Sequence, residues 1–340
     1  MAEQSDRRRF LGATMLGTAG AGAFISLEEK SLQAALDQKG TAAPPSRPAY
    51  QGETLPCGRI GSLSISRLMM GGNLIGGYAH SRDLLYVSRL LREYNTESKI
   101  FETFELAEQA GVNMIQVSPG SVDFVVRYRK QRGGKLQMMV CVDVDQADVP
   151  KIKAQIRELI DKGAETLYTH GERTDRQIMA GNYEAVGRTV ELIKAAGVPG
   201  GIGSHSLETP IASEKHGLNP DYYVKTFHPD NYWSATPADS REEWCWYNGS
   251  SPDHNKYHDN IFDLHPDKTA AFMAKVAKPW VAFKVMAAGS IPAQIGINHA
   301  FQNGADFVIA GMFDFQLAAD VEITVKALKR TKLRTRPWCA

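Results

Sequence analysis

At 340 residues, with 43% apolar and 23% charged side chains, the chain can bury one large core, and a (β/α)8 barrel of roughly 250 residues with additions is an ordinary way to do so. The formal net charge of +1 leaves no excess of basic side chains for a nucleic-acid polyanion. Low-complexity runs and acidic, aromatic-poor tracts are absent, which excludes a wholly disordered chain.

Residues 1–6 are polar, after which Arg7, Arg8, Arg9, Phe10 and Leu11 lead into a weakly apolar Ala/Gly/Thr run over 13–26. The pattern resembles a twin-arginine export signal. That resemblance implies a signal peptide at 1–27, the twin-arginine machinery as a partner, a periplasmic or secreted location, and loading of any cofactor before export. The alternative is a plain basic N-terminus. The run is too short to span a bilayer. A short amphipathic helix at 27–37 and the Pro-rich TAAPPSRPAYQ make a linker over 28–54.

The folded domain is placed at 55–331. Segments 55–57 and 63–65 flank a glycine-containing turn and read as a hairpin. Short apolar runs at 67–70, 112–117, 135–142, 166–169, 200–203, 222–227, 280–285 and 307–310 read as strands. Helical periodicity separates many of them, at 101–110, 149–162, 183–196, 269–276, 292–303 and 317–330. The count is that of an α/β chain folded as a (β/α)8 TIM barrel with an N-terminal β-hairpin and a long loop, 229–266, after strand six. A structureless stretch of that length in a compact domain is usually functional, here as a lid over the rim. Residues 332–340 form a basic tail read as a solvated C-terminus. Cys141 reads as a buried thiol. Cys57 and Cys339, brought to one side by a closed barrel, either pair or remain free.

Three predicted strands end in histidine: TLYTH at His170, GGIGSH at His205 and YYVKTFH at His228. At the C-terminal ends of adjacent barrel strands, imidazoles can converge and leave open positions, the pattern of a catalytic metal site. Zinc suits three nitrogens, and a carboxylate from Glu172, Asp143 or Asp145 would admit manganese, iron or cobalt. The alternative is three separate rim residues making hydrogen bonds. Lys284 leaves an apolar strand at the mouth, as an amine for proton abstraction or Schiff-base work or as an anion binder. Trp244, Trp246 and Tyr247 in the long loop either stack on a sugar face or pack the loop.

With the strands in place, the chain from about 55 to 329 resembles the aldo-keto reductases. GRIGSLSISRLMMGGNLIGG is similar to the family's opening, AGVNMIQVS to its second strand, ETLYTH to the segment ending in its catalytic histidine (His170), and GIGSHS and FHP to the turns after strands five and six. The resemblance implies a barrel and a nicotinamide nucleotide. Gly289, Ser290 and Gly311, in the last two βα turns, are the candidates for admitting backbone amides to its phosphates, unless they are ordinary tight-turn residues. The family's other reducing groups are replaced: Gln116 stands at the aspartate position, no tyrosine follows in VSPGSVDF, and strand three ends at Asp143 instead of lysine. A phenol cannot be tuned by groups that are absent.

The expectation is an exported enzyme with a divalent metal at His170, His205 and His228. The metal would polarise a carbonyl or hydroxyl of a small polar substrate, a sugar derivative suiting the aromatic loop. His170, Glu172, Asp143 or Lys284 would move protons in lyase, isomerase/epimerase or hydrolase chemistry. Gln116, Asn73, Asp230, Trp244 and Trp246 are the candidate substrate contacts. The alternatives are a nicotinamide-dependent oxidoreductase using His170 with a different proton donor, and an inactive ligand-binding barrel.

Overall fold

The β-strand propensity of short Leu/Ile/Val/Met runs is realised at each predicted strand. A computed structural model describes residues 50–81, 84, 86–144, 148–241, 261–331, 334 and 336–340. The expected signal and linker up to residue 49, together with Asp145, Trp244, Trp246 and Tyr247, lie outside the described residues.

Strands β1 (Cys57–Ile60) and β2 (Leu63–Ser66) pair antiparallel, with Ile60 opposite Leu63 across a turn where Gly61 takes φ +58°. Eight parallel strands follow: β3 (Leu68–Gly71), β4 (Met114–Val117), β5 (Gln137–Val142), β6 (Thr166–Thr169), β7 (Gly200–Ser204), β8 (Tyr222–Thr226), β9 (Trp280–Phe283) and β10 (Phe307–Ala310). Each bonds to the next, and β10 returns to β3, closing a (β/α)8 barrel.

Alternation along the strands sorts the side chains into two sets. Met69, Met114, Met139, Cys141, Tyr168, Tyr222, Val224, Val281, Phe307 and Ile309 fill the interior, floored by Ile60 and Ile65 of the hairpin. The other set packs beneath the helices. Burial pushes the Cys141 thiol up to about 12, so it stays protonated as a packing group. The glycines of β7 have a steric cause. A Cβ at Gly201 would stand 2.5 Å from the Tyr222 ring, and one at Gly203 only 2.3 Å from the Thr169 carbonyl oxygen. The two interior tyrosines occupy the space that β7 vacates.

Helices Glu97–Gln109, Val149–Asp161, Tyr183–Ala195, Pro266–Met273, Ala293–Gln302 and Leu317–Arg330 lie where periodicity places them, within a few residues. Helices Val87–Tyr94, Val122–Arg132, Gly171–Met179 and Glu208–His216 are additional. The last two escape a hydrophobic-period reading because what they bury is largely polar or small: Gly171, Thr174 and Asp175 in one, Thr209, Ala212 and Ser213 in the other.

Among the described residues of the C-terminal tail, Pro337 and Trp338 are exposed, but Arg336 is not solvated as its charge suggests. Arg336 is fully buried, and its Nη1 donates to Asp306 Oδ2 at 2.6 Å and to the Gly304 carbonyl at 2.9 Å. Asp306 also accepts from Trp280 N (2.9 Å) and Cys339 N (2.8 Å), while Arg67 donates to the Ala340 carbonyl (2.7 Å) beneath the Trp338 ring. The tail thus closes the N-terminal end through a buried carboxylate at the start of β10. Cys57 and Cys339 are free thiols.

Replacing Arg336 by Ala leaves Asp306 buried without its nearest cation. Urea unfolding at neutral pH should show a loss of about 3 kcal/mol; a loss below about 1 kcal/mol would mean that the pair carries little of the closure.

Candidate functional site

Interior parity carries three histidines to the C-terminal rim. On β6 it runs from Tyr168 to His170, on β7 through Gly201 and Gly203 to His205, and on β8 from Tyr222 and Val224 to His228. Lys284 follows the interior-facing Phe283 and would point away by alternation. Instead its backbone adopts φ +55°, a left-handed conformation unusual for any residue but glycine, and Ala287, Ala288 and Gly289 in the same turn also have positive φ.

His228 is completely buried, and both ring nitrogens bond backbone. Nδ1–H donates to the Pro229 carbonyl at 2.8 Å, and Nε2 accepts from the amides of Phe262 and Asp263, each at 3.1 Å. This pattern requires the neutral Nδ1–H tautomer. Burial drives the group down to about 4, in keeping with it. Its lone pair therefore faces two N–H groups, so the expected metal site of His170, His205 and His228 is not assembled. Among the described residues no group of three His, Cys, Asp or Glu side chains is placed to hold a metal ion. The three histidines do not fit a shared metal ion.

His205 is buried against Asp175, with Nδ1 3.1 Å from Oδ2. The same carboxyl accepts from the His205 amide (2.7 Å) and the Thr209 hydroxyl (2.6 Å). Burial raises Asp175 to about 8 and, with the nearby Lys284 charge, holds His205 well below its ordinary range. The pair is then electrically neutral as a unit, with Asp175 fixing the ring through Nδ1. Gly171 makes this geometry possible, since a Cβ there would lie 3.0 Å from His205 Cε1. His170 has a buried Nδ1 with no hydrogen-bond partner, and burial lowers its pKa.

The rings meet at Phe262. Its face lies 3.5 Å from the Lys284 Nζ, a close cation–π contact. The His80 ring stands edge-on at 5.6 Å, with His205 at 5.9 Å and His228 at 6.4 Å. Lys284 and burial together depress His80 to about 3. Among the described residues the rim therefore places Lys284 beside several imidazoles that are all held below their ordinary range.

His80, Asp175 and Phe262 are the residues that sequence reasoning passes over. Phe262 had a signal, the apolar triplet Ile261, Phe262 and Leu264 inside a polar loop, all of it buried. Asp175 had none, because an acid in a polar helix reads as solvated.

The remaining candidates are dispersed. Glu172 pairs with Arg176 (2.6 Å) and Asp143 with Arg173 (3.2 Å), on the outer side of the rim. Both still influence His170 electrostatically. Gln116, half-buried near the end of β4, offsets part of the upward shift that burial gives the Tyr168 hydroxyl. Asn73 is exposed at the start of the Asn73–Gly76 turn, and Asp230 is held by Arg241. Gly289 is exposed, and Ser290 accepts from Ser234 at 3.4 Å. Gly311 lies beneath Leu74, 3.3 Å from a Cβ built there, and the following Asp314 bonds Tyr94 and Lys99. A carboxylate in that turn does not favour a nucleotide phosphate.

Two solved structures from Pseudomonas aeruginosa, assigned as aldo-keto reductases, match this chain. One has a TM-score of 0.54 at 16% identity, covering 84% of this chain and all of its own. The other also has a TM-score of 0.54 at 16% identity, covering 81% and 98%. The chain shares the fold of these proteins. An aldo-keto reductase from Bacillus halodurans aligns less closely, at a TM-score of 0.46 and 13% identity over 79% of this chain and 90% of its own. No protein-family model and no curated protein matches the sequence.

The buried imidazoles make stability depend on acid. His228 binds its proton near pH 6.5 when unfolded and only near pH 4 when folded, so the unfolded chain carries more protons between those values. Stability is full above that window and falls as pH drops through it, by roughly 3 kcal/mol from this group. His228→Gln keeps an acceptor but does not titrate. Urea midpoints compared between pH 7 and pH 4.5 should fall less in that variant than in the wild type, and equal falls would contradict a neutral, buried His228.

Proposed function

We propose that the chain is an enzyme whose active site is the C-terminal rim and whose reacting group is the Lys284 amine. It acts on a small polar carbonyl compound, such as a sugar derivative or an oxo acid, by lyase or isomerase chemistry. The observation that carries this reading is the placement of Lys284. Its strained backbone aims the amine over Phe262, among imidazoles that remain neutral and so remain available as bases.

In its unprotonated form the amine adds to the substrate carbonyl carbon. The resulting carbinolamine oxygen takes a proton and leaves as water, giving a protonated imine. That C=N bond accepts the electron pair of a neighbouring C–H or C–C bond. The proton released from C–H, or from the hydroxyl whose C–C bond breaks, goes to an imidazole. His170 is the base that suits this role, because it is only partly buried and, with Nδ1 enclosed, its Nε2 is the nitrogen left to take the proton. His205, fixed by Asp175, is suited to return a proton through its other nitrogen. Glu172 and Asp143, already paired with arginines, shape the potential around His170.

A nicotinamide-dependent reduction is the second reading. It is favoured by the shared barrel fold and by His170 at the end of β6.

Borohydride trapping separates the two. Full-length protein is treated with borohydride in the presence of small hydroxyaldehydes or 2-oxo acids, and peptides are mapped by mass spectrometry. A reduced adduct confined to Lys284 and lost in Lys284→Arg is expected. Adducts spread evenly over surface lysines, together with saturable quenching of Trp fluorescence by a nicotinamide nucleotide, would replace this reading with the second.

A further inference from the structure

The segment 261–264 returns from the long loop to the barrel mouth, and its attachment is unusually complete. Ile261, Phe262, Asp263 and Leu264 are all buried. His228 Nε2 accepts the amides of Phe262 and Asp263. The Thr226 hydroxyl lies 3.1 Å from the Phe262 carbonyl and 3.0 Å from that of His205, so one side chain ties the segment to the neighbouring strand end. Asp263 Oδ1 accepts from the Thr269 hydroxyl at 3.0 Å and lies 3.6 Å from the Nζ of Lys225, which is itself fully buried. The backbone at Phe262 and Asp263 is therefore fixed by Thr226 at the end of β8 and His228 just beyond it, and the Asp263 side chain by Thr269 of the following helix.

What this attachment delivers is a ring. Only one residue of the segment, Phe262, has its ring against Lys284, His80 and His205 at once. A phenylalanine on an untethered loop would have alternative rotamers and alternative backbone positions. Here the two amides flanking the ring share a single acceptor 34 and 35 residues away in sequence.

We infer that His228 is a positioning residue: by accepting those two amides it holds the Phe262 ring against the Lys284 amine and so sets that amine's location and reactivity. Its meaning for catalysis rests on Lys284 being the reacting group, whereas the mechanical link stands or falls without that assumption. The position is specific about chemistry. Glutamine carries an acceptor oxygen at the reach of Nε2, whereas asparagine retains a polar group only at the reach of Nδ1. Glutamine therefore preserves the link and asparagine severs it.

The test reads Lys284 directly. Full-length wild type and the variants His228→Asn, His228→Gln and Phe262→Leu are exposed to a trace amount of an amine-acylating reagent. Labelling of Lys284 is then measured by peptide mass spectrometry relative to the exposed Lys326. Severing the link or shrinking the ring should speed relative labelling of Lys284 by about tenfold, with the His228→Asn/Phe262→Leu double variant no faster than either single one. His228→Gln should stay within about twofold of wild type. The inference is overturned if folded His228→Asn labels like wild type, if its effect multiplies with that of Phe262→Leu, or if His228→Gln behaves like His228→Asn. Should His228→Asn not fold, Thr226→Val, which removes the second tether, takes its place with the same expected and contrary results. Imine trapping and labelling fail separately: absent trapping with altered labelling removes the catalytic role of Lys284 and leaves the link, and the reverse removes the link alone.

Discussion

A neutral imidazole has one nitrogen able to accept a hydrogen bond, and His228 directs that nitrogen at two consecutive backbone amides. Those amides are buried, so no solvent stands ready to replace the ring, and an unpaired amide there would carry its full desolvation cost of about 1–3 kcal/mol. Protonation would turn the acceptor into a third donor facing two others. Neutrality of His228 is thus a requirement of the fold, supplied mainly by burial at the end of β8. The Phe262 ring, and with it the relation among Lys284, His80 and His205, depends on that one uncharged nitrogen.

The same three strand ends that suggest a metal centre serve a different end because their lone pairs are used differently. A metal ion needs imidazole lone pairs directed at one point. In this barrel backbone amides take that of His228, and Asp175 engages Nδ1 of His205. What remains is an ammonium group among neutral bases. The barrel is shared with proteins assigned as aldo-keto reductases, yet chemistry in such folds is set by the residues at the strand ends. Here those residues include Gln116 at the end of β4, Asp143 after β5 and a lysine after β9.

Most of the architecture was legible. The apolar runs at Thr166–Thr169 and Phe307–Ala310 coincide with β6 and β10, because each is a short run bounded by turn residues. The rim position of the histidines was legible too, since each ends or follows a strand on the interior parity. Their use was not. The partner of His228 lies 34 residues away in a loop with no periodicity, and the partner of His205 lies in a helix whose buried face is polar. His80 joins the cluster through a left-handed backbone, φ +49°, that its sequence does not announce. The burial of Arg336 is hidden for a related reason: it is buried only because Asp306 is buried with it, and composition shows the charge without the pair.

Side-chain nitrogen spectra of protein labelled with ¹⁵N at histidine test the neutrality of His228 most directly. Long-range ¹H–¹⁵N correlations recorded from pH 5 to pH 8 should show its Nδ1–H tautomer throughout, with an Nε2 shift typical of an unprotonated acceptor and no titration. An Nε2–H tautomer for His228, or a titration midpoint near the ordinary histidine value of about 6.5, would contradict the arrangement on which the rim is built.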